Sequence, residues 1–361
     1  MSSKIRTICK KLALEPVFHM SLHSKELFHS NVIAWFCEAY PAQAYEVLSR
    51  WVPSRNTDVH RVQREHKHLD LVIEIPGLAP VVIENKVFSP PDDEQLNRYS
   101  SGYLKKMDDP SLILLSLGNP NWDDSSFRST TGSEWRFVSY RELADALQGV
   151  LGGISGFSGE VLRRYCEFIS MLQELIEEIG IPGSTDLVDI NSDTREVLQQ
   201  VRLHDAISKI RARYTALLLR QSMNRFGNHS ALEFDANFTN GQPLLEAFVQ
   251  CENGDRIGWQ YQDHKLRLAV ITKTHFGRTN EQRDLRHSYV AKKYADWFDF
   301  DPVSSIIGRQ INEIPKFELN GEFNGYNPDF VYRYRKISNL RFFELEALSF
   351  HYISHALKFT N

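Results

Sequence analysis

Cysteine is scarce and scattered: Cys9, Cys37, Cys166 and Cys251 are the only four in 361 residues, with no C-x-x-C spacing among them. That argues against a disulfide framework and a cysteine zinc site, and makes a reducing, cytoplasmic setting the default. No apolar run approaches the ~20 residues of a membrane span, and the cationic start MSSKIRTICKKLALEP is interrupted too soon for a signal peptide. Neither targeting nor membrane contact is expected. A positive excess is missing too, because the formal net charge is -4. Any polyanion would have to meet a local groove. There is no internal repeat, low-complexity tract or Walker sequence. GVLGGISGFSG (149–159) is rich in glycine but lacks the Lys-Ser/Thr of a phosphate loop, so it reads as a helix-to-helix connection.

What is present suits a soluble globular chain. At 42% hydrophobic and 24% charged, it can bury a sizeable core, and its length fits two domains. Residues 21–40 have the serines and apolar spacing of a capped helix, which Pro41 ends or bends. LDLVIEI (69–75) and PVVIENK (80–86), joined by PGLAP, read as a hairpin, with VHRVQRE (59–65) a third strand before them. A helical pattern over 92–107 precedes the buried strand SLILLSLG (111–118) and the strand WRFVSY (135–140). Helices are predicted over 141–151 and 160–179. GIPGSTDLVDINSD (180–193) is the expected boundary, giving domains 1–180 and 181–361. Past it come a long helix over 194–226, β-rich sequence with a turn at QDHK, and helices over 283–298 and 342–358. The basic amphipathic 283–298 reads as a surface helix.

Two ionisable residues, Glu84 and Lys86, end the apolar run VVIENK. Alternation puts them on one face of the strand. A hairpin turning at 76–80 brings Asp70 beside Glu84, so two carboxylates and an ammonium converge at the end of a sheet. Left alone, such a pair of carboxylates repels, and a divalent cation would relieve the repulsion. Oxygen ligands favour Mg²⁺ or Mn²⁺ over zinc, and Lys86 would orient a water or steady transition-state charge. The plain alternative is a surface ion pair at a hairpin end. Gln95 and Tyr99, at i and i+4, share one face of the next helix, and Glu26 in KELFHSN is a third carboxylate.

Asp70, Glu84-Asn85-Lys86 and Gln95-Leu96-Asn97-Arg98-Tyr99, in this order, resemble the PD-(D/E)XK nuclease superfamily, in its branch with a Q-x-x-x-Y motif. ELFHSNVIAWF is also similar to the E-x-x-H-S-x-x-x-A-W opening of a bacterial subfamily. The resemblance covers about residues 20–140 and implies a restriction-endonuclease-like fold: a mixed β-sheet core flanked by helices, followed by a second α+β domain. It implies catalytic roles for Asp70, Glu84 and Lys86, and metal ligation by Glu26, Asp70, Glu84 and the carbonyl of Asn85. Gln95 and Tyr99 would contact the nucleic-acid backbone. The activity implied is Mg²⁺-dependent hydrolysis of DNA, in defence against foreign DNA or in repair. An RNase and a non-catalytic nucleic-acid-binding or assembly module are the alternatives. The name-giving proline is missing, since Leu69 precedes Asp70. Pro91-Asp92 comes after the E-x-K, and Pro328-Asp329 has no lysine in register behind its glutamates, so both are set aside.

Three further features carry bland and functional readings. His66 and His68 flank Lys67 and read as a polar turn rather than a metal pair, and Glu65 reads as a salt-bridge partner of Arg61 or Lys67. FVYRYRKISNLR (330–341) interleaves aromatics with cations, placing Tyr332 and Tyr334 on one strand face and Arg333 and Arg335 on the other. Arg333 and Arg335 are taken as nucleic-acid contacts, against an ordinary strand with one packed and one solvated face. The second domain is expected to select target or partner, or to form a homo-oligomer.

Overall fold

The computed structural model describes residues 3–22, 25–53, 58–66, 68–87, 93–120, 122–224, 232–239, 242–310, 323–326 and 328–360. The chain divides into two compact units, residues 1–179 with 193–210, and residues 180–192 with 211–361. Unit membership thus changes three times between 179 and 211, in and just beyond the turn-rich stretch.

The first unit begins with helices α1 (Ser3–Leu14), α2 (Pro16–Ser21), α3 (Lys25–Ala39) and α4 (Pro41–Leu48). Pro41 ends one helix by opening the next, at the first-turn position where its missing N–H costs nothing. Strands β1 (Arg61–His66), β2 (Leu69–Glu74) and β3 (Val81–Lys86) follow, then α5 (Asp93–Ser101), β4 (Ser111–Ser116), β5 (Ser126–Arg128), β6 (Glu134–Ser139), α6 (Tyr140–Val150) and α7 (Gly156–Ile179). The sheet order is β1-β2-β3-β4-β6-β5. β1, β2 and β3 are antiparallel, β3, β4 and β6 parallel, and β5 antiparallel at the edge. It is the mixed sheet with flanking helices that the sequence implied.

Alternation sorts this sheet's residues. Val72, Val82, Leu112 and Leu114 pack with Leu96 of α5. Ile83, Ile113, Leu115 and Val138 face Ile33 and Phe36 of α3, Leu147 of α6 and Leu162 of α7. β3 is buried at all six positions. Its neighbour β2 runs in a register pairing Leu71 with Ile83 and Ile73 with Val81. One step beyond the Leu71–Ile83 pair, that register sets Asp70 opposite Glu84.

His68 sits at φ 74 in the tight turn between β1 and β2. It forms the polar turn that its sequence neighbours suggested. The His66 side chain and Lys67 lie outside the described residues, as do Pro91 and Asp92.

Helix α8 (Ser192–Gln200) and the start of α9 (His204–Asn224) fall in the first unit; the second is built on the rest of α9, from Arg211, and on β7 (Leu232–Thr239), β8 (Gln242–Gln250), β9 (Arg256–Gln262), β10 (Lys265–Ile271), α10 (Asn280–Lys293), α11 (Pro302–Ile307), β11 (Asn324–Tyr326), β12 (Phe330–Lys336) and α12 (Phe342–Ala356). Its sheet is antiparallel throughout, ordered β11-β12-β10-β9-β8-β7. Asp263 and His264, at φ 50 and 59, make the tight turn expected at QDHK. The long helix expected over 194–226 is instead two, separated where Arg202 adopts φ 57; residues 225 and 226 lie outside the described residues. No helix among the described residues is long and apolar enough to cross a membrane.

Candidate active site

β3 is the centre of the candidate site because its last three residues serve both sides of the sheet. Glu84 and Lys86 follow Val82 onto the α5 side. Asn85 follows Ile83 onto the side of α3 and α6. Glu84 is 1% exposed and Lys86 9%, and Lys86 Nζ lies 2.9 Å from Glu84 Oε1. This is no surface ion pair. The other carboxylate oxygen, Oε2, is buried without a hydrogen-bond partner among the described residues.

Asp70 enters from β2, half-buried, and its Oδ2 accepts the Asn85 main-chain N–H at 2.7 Å. Burial lifts its pKa; the Asn85 amide and the Lys86 charge oppose this without cancelling it. Glu84 is affected more strongly: burial, then the charge of Asp70, pushes it up to about 7 in spite of Lys86. For Lys86, burial works against the charge, yet the charge and hydrogen bond of Glu84 outweigh it and leave the ammonium above its ordinary value. Electrostatically the site is two carboxylates with too little positive charge between them.

Asn85 is the part of E-x-K whose side chain the sequence left without a task. It is wholly buried. Its Nδ2 donates to Glu26 O at 3.1 Å and to Ser30 Oγ at 3.0 Å, and its Oδ1 accepts from Tyr140 Oη. The residue therefore ties β3 to the first turns of α3 and α6 while its amide holds Asp70. Glu26 lies in the first turn of α3, where its charge bears on Asp70, Glu84 and Lys86. Asn85→Ala is expected to cost about 2–4 kcal/mol, since it strands several buried polar groups at once. A urea titration compared with the wild type checks this; an unchanged midpoint would contradict it.

Behind Asn85 lies an aromatic layer. His29 is buried, its Nδ1 is 3.0 Å from Tyr165 Oη, and it stacks on Phe168 at 5.5 Å. Burial pushes its pKa down to about 3, so the ring is neutral and fills space rather than carrying charge. Tyr140 and Tyr165 were not legible as site residues. Their tyrosines lie in an apolar strand-to-helix junction and a core helix, with no local motif to mark their hydroxyls.

On the α5 side, Gln95 Nε2 donates to Tyr99 Oη at 2.6 Å. Burial and then the Glu84 charge raise the Tyr99 pKa, which puts the phenol in the field of the carboxylates. Thus Asp70, Glu84, Asn85, Lys86, Glu26 and Tyr99 come together, with Gln95 attached through Tyr99. Arg333 and Arg335 belong to the second unit, where Arg333 lies over the rings of Phe323 (4.5 Å) and Phe298 (5.9 Å), and Arg335 over Phe300 (4.8 Å).

Residues 17–170 match the family model of the PD-(D/E)XK nuclease superfamily. This segment is a PD-(D/E)XK nuclease-superfamily domain. No match to the chain was found among curated proteins or solved structures. The matched span runs from α2 into α7 and so contains every element that supplies the residues of this candidate site: α3, β2, β3, α5 and α6. Leu69, standing where the motif name has proline, is fully buried in the sheet. The aspartate keeps its place without it, because the β2–β3 register and the Asn85 amide position Asp70.

The donor set of this PD-(D/E)XK domain suits a hard divalent cation. Glu84 Oε2 is an orphaned buried acceptor, and the mutual repulsion of Asp70 and Glu84 would be relieved by positive charge. Among the described residues no group of three or more His, Cys, Asp or Glu side chains is arranged to hold a metal.

Proposed function

We propose that the chain is a divalent-metal-dependent nuclease that hydrolyses phosphodiester bonds of DNA. The observation that carries this reading is the buried Asp70–Glu84 pair, short of positive charge and with one oxygen of Glu84 unpartnered, beside a buried lysine. A non-catalytic descendant has no physical reason to keep two carboxylates whose burial opposes folding.

Asp70, Glu84 and the Asn85 carbonyl would hold Mg²⁺ or Mn²⁺, with Glu26 at the margin of the shell. When bound, the ion supplies Lewis-acid stabilisation and a more acidic water. Lys86, held by Glu84, is placed to orient the attacking water and to offset charge developing on the phosphoryl oxygens. Tyr99, braced by Gln95, offers a hydroxyl for a phosphate of the scissile strand. The Q-x-x-x-Y pair thereby acts as a positioning element. A role in defence or repair accords with the family resemblance, and four buried, unpaired cysteines accord with a reducing cytoplasm.

The test incubates purified chain with plasmid, linear duplex, single-stranded DNA and RNA, in Mg²⁺, in Mn²⁺ and with EDTA. Cleavage of DNA that EDTA abolishes is the expected result. Cleavage confined to RNA would redirect the substrate, and no metal-dependent cleavage of any substrate would contradict the nuclease reading.

A further inference from the structure

The two faces of the second sheet are built differently. Trp259 of β9, Leu266, Leu268 and Val270 of β10 and Val331 of β12 point into the unit's core. The alternate residues make the opposite face, and there the tyrosines form a ladder. Tyr326 of β11 lies nearly parallel to Tyr332 of β12, with 17° between planes and 5.4 Å between centroids, and Tyr334 follows at 6.4 Å. The Arg267 guanidinium sits over Tyr332 at 5.5 Å, and the Lys265 ammonium over Tyr334 at 5.8 Å. The three adjoining strands RIGWQYQ, KLRLAVI and FVYRYRK contain no acidic residue. Charge on this part of the face is complementary to a polyanion.

Arg267 decides what the face is for. It is only 6% exposed, and no carboxylate pairs with it among the described residues. Its guanidinium has two long hydrogen bonds to neutral groups, Gln260 Oε1 at 3.4 Å and Gln262 Oε1 at 3.2 Å, and its Nε has no partner. Gln260 turns its own amide to Glu246 at 2.6 Å. Two other buried arginines of this unit are settled differently. Arg211 donates to the carbonyls of Leu187 and Val188, and Arg286 to those of His275 and Gly277. A buried cation left as Arg267 is left opposes folding unless an anion joins it.

We propose that this face of the second sheet binds single-stranded nucleic acid, with Arg267 receiving a backbone phosphate and the exposed ring of Tyr326, backed by Tyr332, stacking on a base. Phosphate answers the unpaired guanidinium, and the outer ring of the ladder answers an unstacked base, which a duplex does not present. Arg333 and Arg335, on the other side of the same strand, stay with their phenylalanines. The proposal extends the nucleic-acid reading of the first unit, but binding in EDTA involves no cleavage and so stands or falls separately.

The experiment is fluorescence anisotropy of labelled oligodeoxythymidine with the full chain in EDTA, over a salt series. Wild type is expected to bind saturably, more weakly as salt rises, and more tightly than to a duplex. Tyr326 is 54% exposed, so Tyr326→Ala leaves the fold intact and is expected to weaken binding about tenfold. Arg267→Met is expected to weaken binding about tenfold or more while leaving the melting temperature unlowered, since an uncompensated buried cation has been removed. Absence of binding by wild type, equal binding by both variants, or a preference for duplex would overturn the proposal.

Discussion

Glu84→Gln is expected to raise the melting temperature of the metal-free protein at pH 8 while reducing cleavage at least about 10²-fold. The reason lies in the proton balance of folding. Glu84 titrates at about 7 in the folded chain against an ordinary 4.5. Its protonated form is therefore favoured by the fold, and that contribution is full below pH 4.5 and lost as pH rises through 7. At pH 8 the ionised carboxylate opposes folding by an energy on the order of 3 kcal/mol, at about 1.4 kcal/mol for each tenfold change in proton affinity. Asp70, also raised, adds to the same side. Glutamine keeps the shape and removes the charge. A thermal unfolding series from pH 5 to pH 8 in EDTA should show the wild type losing stability as pH rises and Glu84→Gln losing less. Added Mg²⁺ should stabilise wild type at pH 8, and the variant less. A Glu84→Gln protein less stable than wild type at pH 8 would show that the carboxylate is not held at a disadvantage.

Lys86→Met is expected to move stability the other way. It retains the buried stem but removes the ammonium that lies against Glu84. Breaking a buried pair by deleting one partner costs about 3–5 kcal/mol when the other stays charged. Here the loss has a ceiling, because Glu84 can take up a proton instead. The destabilisation should accordingly be clear at pH 8 and fade toward pH 5, where Glu84 is protonated in either protein. Cleavage should fall by about 10²–10³-fold through the loss of transition-state stabilisation. Opposite shifts in melting temperature with shared loss of activity would separate a site selected for chemistry from an ordinary buried salt bridge. Equal destabilisation across the pH range would point to packing alone.

Much of this site could be read in the sequence because it is local. The spacing of Asp70 and Glu84 around PGLAP fixes a hairpin register, and alternation then places Glu84 and Lys86 together. Gln95 and Tyr99 are one helical turn apart. What stayed hidden depends on distant chain. Alternation puts Asn85 on the far side of the sheet from Glu84, but nothing local says that Tyr140, fifty-five residues on, supplies its hydroxyl. The same holds for β12. Its two faces were legible, and which of them is packed was not, because that depends on Phe298, Phe300 and Phe323 arriving from other elements. Interleaved tyrosine and arginine marked this strand for binding, whereas the ladder also needs β11, too short at three residues to show a period. Arg202 broke a long helical pattern without glycine or proline to announce it, and α1 and α4 were passed over beside stronger signals.

A metal-dependent phosphodiesterase centre formed by Asp70 and Glu84 with Lys86 is tested most directly by setting wild type beside Asp70→Asn on one labelled DNA in Mg²⁺, both proteins checked for equal folding by circular dichroism. Cleavage by wild type and none by Asp70→Asn is the result predicted; equal cleavage by the two proteins, or none by either, would contradict it.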